Sequence, residues 1–165
     1  MEYILVLIGA ILRFLPHPAN FAPISAIALF GGTYLNKKFA LLVPVAAMVV
    51  SDYFIGFDSW QSRATVYSSF ILSGLIGLWL RNNKSVLNMI GGTVASSALF
   101  YLITNLVFLY EPTMYSHDLS GQIQSYLNAL PFFRNTLLGD LFYAGVMFGS
   151  FELVKRYDPR FLPSP

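Results

Sequence analysis

Long apolar runs separated by short polar connections restrict what this sequence can fold into. A helix that crosses the hydrocarbon core of a bilayer needs about 20 residues, within a range of about 17 to 25. Only 11% of the residues are charged, against about 25% in a typical soluble domain. The sequence therefore predicts an all-α membrane protein with six transmembrane helices, of which the last four segments are long enough to span. The six segments are residues 3–15, 22–35, 39–57, 64–80, 86–110 and 133–154.

A proline-rich connection joins the first two segments, which are short. Thirteen helical residues, as in segment 3–15, reach only about 20 Å against a hydrocarbon core of about 30 Å. Pro16, Pro18 and Pro23 lack a backbone donor, so we expect the helix to break here. Irregular backbone below the membrane surface is tolerated only beside protein or a water-filled cavity, which would place His17 and Asn20 beside a cavity. The alternative is a tilted first helix that continues past Pro16.

The basic residues predict the orientation of the chain. By the positive-inside rule, the side that carries most of them is cytoplasmic. Both termini are then cytoplasmic, and the connections 16–21, 58–63 and 111–132 lie outside. We expect one six-helix domain, residues 1–157, with a short cytoplasmic tail, residues 158–165, in a prokaryotic cytoplasmic (inner) membrane. The seven basic residues assigned to the cytoplasm, out of ten, are Lys37, Lys38, Arg81, Lys84, Lys155, Arg156 and Arg160.

The connection 111–132 is the longest outside the apolar segments. Loops of more than about 12 residues without secondary structure are usually functional or disordered. This one contains few charges and several aromatic residues, Tyr115 among them. We expect it to form an ordered lid on the outer side.

Several kinds of chemistry lack the residues that they need. The chain has no cysteine, which excludes disulfides, thiolate metal sites and cysteine nucleophiles. His17 and His117 have no carboxylates at the spacing of a metal site. No phosphate-binding GxxxxGK[ST], HExxH or GxSxG motif occurs, and the basic residues are dispersed. We expect no cofactor, no ATPase or other enzyme activity, and no nucleic-acid partner.

Polar side chains within the apolar segments concentrate toward the outer half. Charged groups inside a span generally face the protein interior or a pathway. A channel would need a polar line across the whole membrane, so this distribution favours a binding cavity that is open to the outside. The candidate substrate-binding residues are Arg13, His17, Asn20, Asp52, Tyr67, Tyr101, Asn105, Tyr115, Arg134, Asn135 and Asp140.

We expect Arg13, Asp52, Arg134 and Asp140 to form one network beneath the lid. The arginines would hold an anionic or carbonyl-bearing group, the carboxylates would hold the arginines or a donor on the ligand, and the tyrosines would supply aromatic surface. Structural roles stay open as alternatives: an ion pair of Asp140 with Arg134 or Arg13, a helix cap by Asn105, and hydroxyls that bond their own backbone. The hydroxyls concerned are those of Ser97 and Thr104.

The six segments, the stretch NFAPISAIALFGGTYL and the stretch LLVPVAAMVVSD resemble the S components of energy-coupling factor transporters. RFLPHPANFAPISAIALFGG, VSDYFIGF, the Thr-Asn pair 104–105 and LPFFRNTLLGD more closely resemble an uncharacterised bacterial membrane family grouped with those components. The resemblance implies a micronutrient, often a vitamin, bound in an outward-facing pocket roofed by loops, with cobalamin or a precursor as a candidate. It also implies a transmembrane coupling partner with two ATPases. S components often contact that partner through AxxxA, a spacing that Ala22 and Ala26 match, and Ala28 with Gly32 forms an equally good seam.

The sequence therefore predicts the substrate-binding subunit of a micronutrient uptake transporter, with a small solute and the lipid bilayer as partners. Two other classes remain open. One is a structural or assembly subunit in which the polar residues hold helices together. The other is an intramembrane enzyme that uses Asp52, His17 or Asp140 as acid or base, for which no nucleophile and base pair is present.

Overall fold

Six helices follow one another in the computed structural model, which describes residues 1–57, 59–106 and 114–157. No strand occurs in these residues, so the all-α prediction is confirmed. Helices α4, α5 and α6 are long and apolar enough to cross a membrane, whereas the others are apolar but have only 11, 11 and 14 residues. The predicted tail 158–165 lies outside the described residues. The helices are α1 (Glu2–Leu12), α2 (Ile24–Tyr34), α3 (Leu42–Ile55), α4 (Trp60–Leu80), α5 (Val86–Thr104) and α6 (Leu119–Tyr157).

Helix α2 lies at the centre of the bundle and packs against each of the other five helices. Nine of its eleven residues are buried. Pro23 directly precedes it, where the missing backbone donor is harmless and the fixed φ suits a helix start. Since α1 ends at Leu12, the alternative in which the first helix continues past Pro16 is wrong.

Small residues bring α2 and α4 into close backbone contact. A Cβ added to Gly32 would lie 2.2 Å from a carbonyl oxygen of α4 and 2.8 Å from the Cα of Gly77. The Thr33 hydroxyl donates to the carbonyl of Gly77 at 3.1 Å. Arg81, which follows α4, donates to the carbonyls of Gly32, at 2.8 Å, and Leu35. Arg81 therefore satisfies a carbonyl in the last turn of α2, at Gly32, and one just beyond the helix, at Leu35.

The two ends of the bundle differ in the side chains that meet there. At one of them, Lys84 lies over the ring of Tyr34, 4.7 Å from its centroid, and the Tyr34 hydroxyl donates to Glu152. Burial and the nearby Lys155 lower the pKa of Lys84 below its ordinary value. Arg81 lies at the same end, where it donates to the carbonyl of Gly32 in the last turn of α2. We call this the basic end, because it gathers basic residues that the sequence assigns to the cytoplasm.

The opposite end joins α1, α3 and α6 through polar contacts. Arg13, at the end of α1, pairs with Asp52 near the end of α3. Asn135 of α6 donates to the carbonyl of Ala19 at 3.0 Å, which ties α6 to the proline-rich connection. Gly56 ends α3 with φ of +114°, a conformation that L side chains rarely adopt. We call this the polar end.

Helix α6 begins at Leu119, fourteen residues before the predicted start at residue 133. Asp118 caps it, since one carboxylate oxygen accepts from the Gly121 amide at 2.8 Å, and this bond lowers the pKa of Asp118. Pro131 lies inside the helix. Within the described residues, 119–132 are therefore helical rather than part of a lid, while residues 107–113, which include the start of the predicted lid, are not described.

Helices α3 and α4 also differ from their predicted bounds. Helix α3 is shorter than segment 39–57 and falls below the length of a span, because the chain forms turns before Leu42 and Gly56 ends the helix. Helix α4 begins at Trp60 rather than at residue 64, because the Ser59 side chain caps it by accepting from the Ser62 amide at 3.2 Å.

The outward faces of the helices expose large apolar side chains. Leu7 of α1, Phe54 of α3, Leu87 of α5 and Leu153 of α6 are each more than half exposed. Soluble monomers rarely expose extensive apolar surface. Together with the three helices of spanning length, this surface is consistent with a membrane protein.

Candidate functional site

A cavity of about 420 Å³ lies at the polar end of the bundle. The volume falls within the range of about 300 to 1,000 Å³ that small-molecule sites occupy. Polar side chains from four parts of the chain meet apolar side chains in its wall. We call it the arginine cavity; it is lined by Arg13, Asn20, Ile24, Met48, Asp52, Ile55, Gly56, Phe57, Arg63, Val66, Tyr67 and Phe100.

Arg13 and Asp52 form an ion pair in this wall, with Nη2 2.7 Å from Oδ1. The other carboxylate oxygen accepts from the Tyr67 hydroxyl at 2.7 Å. Nη1 of Arg13 donates to the Ser51 hydroxyl and, at 3.4 Å, to the carbonyl of Met48. The two side chains are only 10% and 14% exposed. The pair is therefore largely satisfied by the protein itself, and it ties α1 and α4 to α3.

Arg63 brings a second guanidinium group to the cavity. Its Cζ lies 4.6 Å from the centroid of the Phe57 ring, within the range of a cation–π contact. Its Nε is buried without a hydrogen-bond partner, and no ion pair of Arg63 occurs among residues 1–57, 59–106 and 114–157. Since the charges of Arg13 and Asp52 cancel, the charged residues that line the wall within the described part of the chain leave one net positive charge. That excess favours an anionic group in the cavity.

Asn20 and His17 lie on the proline-rich connection, but only Asn20 lines the cavity. Asn20 has φ of +62°, in the left-handed region that asparagine tolerates better than most residues. His17 is exposed, and its Nδ1 lies 3.0 Å from the carbonyl oxygen of Pro18. His17 is therefore close to Asn20 in sequence, but its side chain does not line the cavity.

A smaller cavity of about 20 Å³ adjoins the arginine cavity and shares Asn20, Ile24 and Phe100 with it. Asp140, only 1% exposed, lines it together with Thr136. We call it the Asp140 cavity; its remaining lining residues are Ala22 and Ser25.

The Asp140 carboxyl group makes one well-formed hydrogen bond, accepted by Oδ2 from the Ser97 hydroxyl at 2.7 Å. Its Oδ1 is buried, and no residue among 1–57, 59–106 and 114–157 is its partner in good hydrogen-bond geometry. Three donors at the start of α2 also face the carboxyl group: the Ser25 hydroxyl and the backbone amides of Ser25 and Ala26. None of them forms a hydrogen bond of good geometry with Oδ1.

The single network predicted for Arg13, Asp52, Arg134 and Asp140 is therefore wrong. Arg134 is exposed, and no ion pair of it occurs in the described part of the chain. It lies six positions before Asp140, which turns the two side chains about 120° apart around α6. Asp140 also pairs with neither arginine, so its structural ion-pair alternative is wrong as well.

Tyr101 and Asn105 join α5 to α6 instead of lining the arginine cavity. The Tyr101 hydroxyl donates to the carbonyl of Tyr126 at 2.8 Å, and the Ser125 hydroxyl of α6 donates to the carbonyl of Asn105 at 2.8 Å. The Asn105 side-chain amide donates to the carbonyl of Tyr101, within α5, at 2.7 Å. Asn105 is the C-terminal cap of α5, which confirms the structural alternative of a helix cap at this residue. The Thr104 hydroxyl donates to the carbonyl of Phe100 at 2.7 Å, which bonds it to its own helix.

Tyr115 and Asn135 also lie outside the arginine cavity. The Tyr115 hydroxyl oxygen accepts a long contact of 3.5 Å from the amide of Asn128 in α6. Asn135 holds the carbonyl of Ala19, as described above. Both residues therefore position segments around the polar end, and neither is placed to contact a molecule in the cavity.

The small residues expected to contact a partner helix are used within the chain. Ala22, Ala26 and Ala28 are 8%, 0% and 2% exposed, and Gly32 packs against Gly77 of α4. A partner helix could contact them only if α2 were displaced. Their role toward a partner stays a prediction.

Comparison with other proteins identifies the chain only at the level of its family. No curated protein and no solved structure matches it. Residues 1–161 match the family described as "Family of unknown function (DUF6580)", and the chain belongs to that family.

Proposed function

We propose that this protein captures a small anionic solute in the arginine cavity, as the substrate-binding subunit of a membrane uptake system. The observation that carries the proposal is Arg63, a cation in a cavity wall whose other charges, among the residues that the structure describes, cancel. Charge-assisted hydrogen bonds from a guanidinium group hold carboxylates and phosphates well. Met48, Phe57 and Phe100 would contact the apolar body of the solute.

The basic end supports capture from outside the cell. The arginine cavity lies at the opposite end of the bundle, and the positive-inside rule assigns the basic end to the cytoplasm. The chain has no phosphate-binding loop, so a partner or an ion gradient would supply the energy for uptake. The resemblance to S components favours a partner with ATPases. A cavity of about 420 Å³ favours a small acid over a molecule of the size of cobalamin.

A structural or assembly role is the second candidate, because the Arg13–Asp52–Tyr67 cluster is satisfied by protein groups alone. That role accounts for the ion pair, since it joins three helices. It gives no reason for Arg63, whose buried Nε has no hydrogen-bond partner among the described residues. The two candidates therefore differ in what they predict for Arg63.

Ligand-induced stabilisation of the purified protein tests the proposal. A ligand that binds only the folded state stabilises it by about 2.7 kcal/mol at 100 times its Kd. We would record thermal unfolding with small carboxylates, phosphate esters, amines and neutral sugars at constant ionic strength. We expect carboxylates or phosphate esters to raise the Tm, and amines and sugars to leave it unchanged.

Two arginine variants separate the site from general charge effects. Arg63→Gln removes the cation of the cavity, whereas Arg134→Gln removes an exposed cation from α6, outside the cavity. Loss of hydrogen bonds to a charged group, about 1.5 to 3 kcal/mol, corresponds to about a 10- to 150-fold weaker affinity for Arg63→Gln. Arg134→Gln should bind as the wild type does. Stabilisation by amines alone, or equal binding by both variants, would overturn the proposal.

A further inference from the structure

Asp140 is isolated from the charged side chains around it. Helix α6 packs against α2 and α5. The titratable side chains of these helices are engaged elsewhere: Tyr34 of α2 with Glu152 at the basic end, and Tyr101 of α5 with Tyr126. Across the shared wall, Arg13 pairs with Asp52. At the polar end, the other groups on α6 or across that wall are the exposed Arg134, Tyr143 in ring contact with Phe21, Tyr67 on Asp52, and Arg63 over Phe57. Lys155, Arg156 and Tyr157 lie at the basic end of α6.

The surroundings of Asp140 supply too few donors for a buried carboxylate. A buried charge is costly unless it is paired or fully hydrogen-bonded. The one firm donor is the Ser97 hydroxyl, whose single hydrogen is also within reach of the carbonyl of Thr93, at 3.1 Å. Within the described part of the chain, Oδ1 accepts no hydrogen bond in good geometry. A proton on the carboxyl group would remove the charge, and with it this cost.

The ligand that fits this carboxyl group is a proton rather than a metal cation. The amides at the start of α2 face the group, and the amino-terminal end of a helix carries a partial positive charge. That partial charge repels a metal cation. It also favours the carboxylate over the neutral acid, but the carboxyl group is buried and its Oδ1 accepts no well-formed hydrogen bond from the described residues, so the cost of burying the charge remains. The Asp140 cavity, at about 20 Å³, has room for one water molecule beside the carboxyl group, as a source of the proton.

We propose that Asp140 is a proton-binding site that is linked to the arginine cavity. The carboxylate takes one proton from water and becomes the neutral acid, and no other bond forms or breaks. An anion in the arginine cavity, beyond the wall of Asn20, Ile24 and Phe100, disfavours a second negative charge on Asp140. Anion and proton therefore bind together, and each raises the affinity for the other by the same factor. This linkage rests on the proposed function, whereas the proton site itself does not.

Infrared difference spectroscopy of the purified protein tests the proton site without any solute. We expect a carbonyl stretching band of a protonated acid that disappears as the pH is raised. Asp140→Asn should abolish the band, and Asp118→Asn, which removes an exposed carboxyl group, should leave it in place. Ser97→Ala removes the donor to the charged form, so the band should persist to a pH roughly one unit higher.

Three results would overturn the proposal. The first is the absence of an acid band that depends on Asp140. The second is loss of that band when sodium replaces choline at constant pH, which would make the site a sodium site. The third concerns the linkage, which we would probe with acetate as a minimal carboxylate: acetate should move the midpoint of the band to higher pH. If acetate stabilises the protein through Arg63 but leaves the midpoint unchanged, the linkage fails while the proposed function stands.

Discussion

Replacement of Asp52 by asparagine is expected to destabilise the folded protein strongly. In the wild type, one carboxylate oxygen accepts from Arg13 and the other from Tyr67, both at 2.7 Å. Asparagine offers one oxygen, so it can satisfy only one of these donors, and its amide nitrogen then faces the other. Either arrangement leaves Arg13 without its counter-charge, although its side chain is only 10% exposed.

The size of the effect follows from this burial. Breaking a fully buried pair costs about 3 to 5 kcal/mol, because it leaves an uncompensated charge. Arg13 borders the arginine cavity, where solvent screens the charge, so we expect a loss of about 2 to 3 kcal/mol. That corresponds to about a 30- to 150-fold smaller ratio of folded to unfolded protein. Tyr67→Phe removes one hydrogen bond to a charged acceptor and should cost less, about 1.5 kcal/mol.

Equilibrium unfolding in sodium dodecyl sulfate, followed by the fluorescence of Trp60 and Trp79, would measure these losses. The double variant Arg13→Gln with Asp52→Asn completes the cycle, and it should be more stable than the sum of the single losses predicts, by about 0.5 to 3 kcal/mol. Additive losses, or a smaller loss for Asp52→Asn than for Tyr67→Phe, would refute the role of the pair in joining α1 to α3.

Two further predictions concern packing and topology. Gly32→Ala should lower the free energy of unfolding by about 1 to 3 kcal/mol in the same assay, because its Cβ would lie 2.2 Å from the Gly74 carbonyl oxygen. The control Gly91→Ala, whose Cβ would have no atom within 4 Å, should be neutral or slightly stabilising. Equal effects of the two variants would contradict the close contact of α2 and α4. Because the chain has no cysteine, single cysteines at Lys84 and Ser120 can be labelled selectively. In intact cells a membrane-impermeant maleimide should label position 120 and not 84, and the reverse pattern would place the arginine cavity on the cytoplasmic side.

The all-helical class and the break between the first two helices could be predicted from sequence, because apolar runs and proline breaks act locally. The bounds of the helices are harder to predict. Pro131 lies just before residue 133, and a proline in a sequence usually indicates the end of a helix. In the folded protein Asp118 caps a helix that continues through Pro131. Proline is tolerated there because neighbouring groups can satisfy the freed backbone carbonyl.

The site was predicted only in part, for a related reason. Arg13, Asn20, Asp52 and Tyr67 line the arginine cavity, whereas the other candidates lie elsewhere. Arg63 was missed, because the prediction placed it in a connection before residue 64. The Ser59 cap starts α4 four residues earlier, which puts Arg63 in its first turns. A serine followed by a helix-forming run is a capping signal that could have revealed this.

Asp140 shows a different limit of sequence reasoning. Its position one or two turns into an apolar segment correctly suggested a buried carboxyl group, and it is 1% exposed. Which side chain meets it depends on how α5 and α6 are rotated against each other. That rotation brings Ser97 to Asp140 and turns Arg134 away. A single sequence carries no signal for such a rotation, so it cannot show that Ser97, and not an arginine, is the partner of Asp140.

Mass spectrometry of the small molecules released from the purified protein tests the central claim most directly. Protein would be purified from cells in parallel as the wild type, Arg63→Gln and Arg134→Gln, and each preparation would be denatured and its released molecules compared. The account predicts one anionic compound at a level near that of the protein in the wild type and in Arg134→Gln, and its loss in Arg63→Gln. A cationic or neutral compound in that position, or an anion retained by Arg63→Gln at the wild-type level, would contradict it.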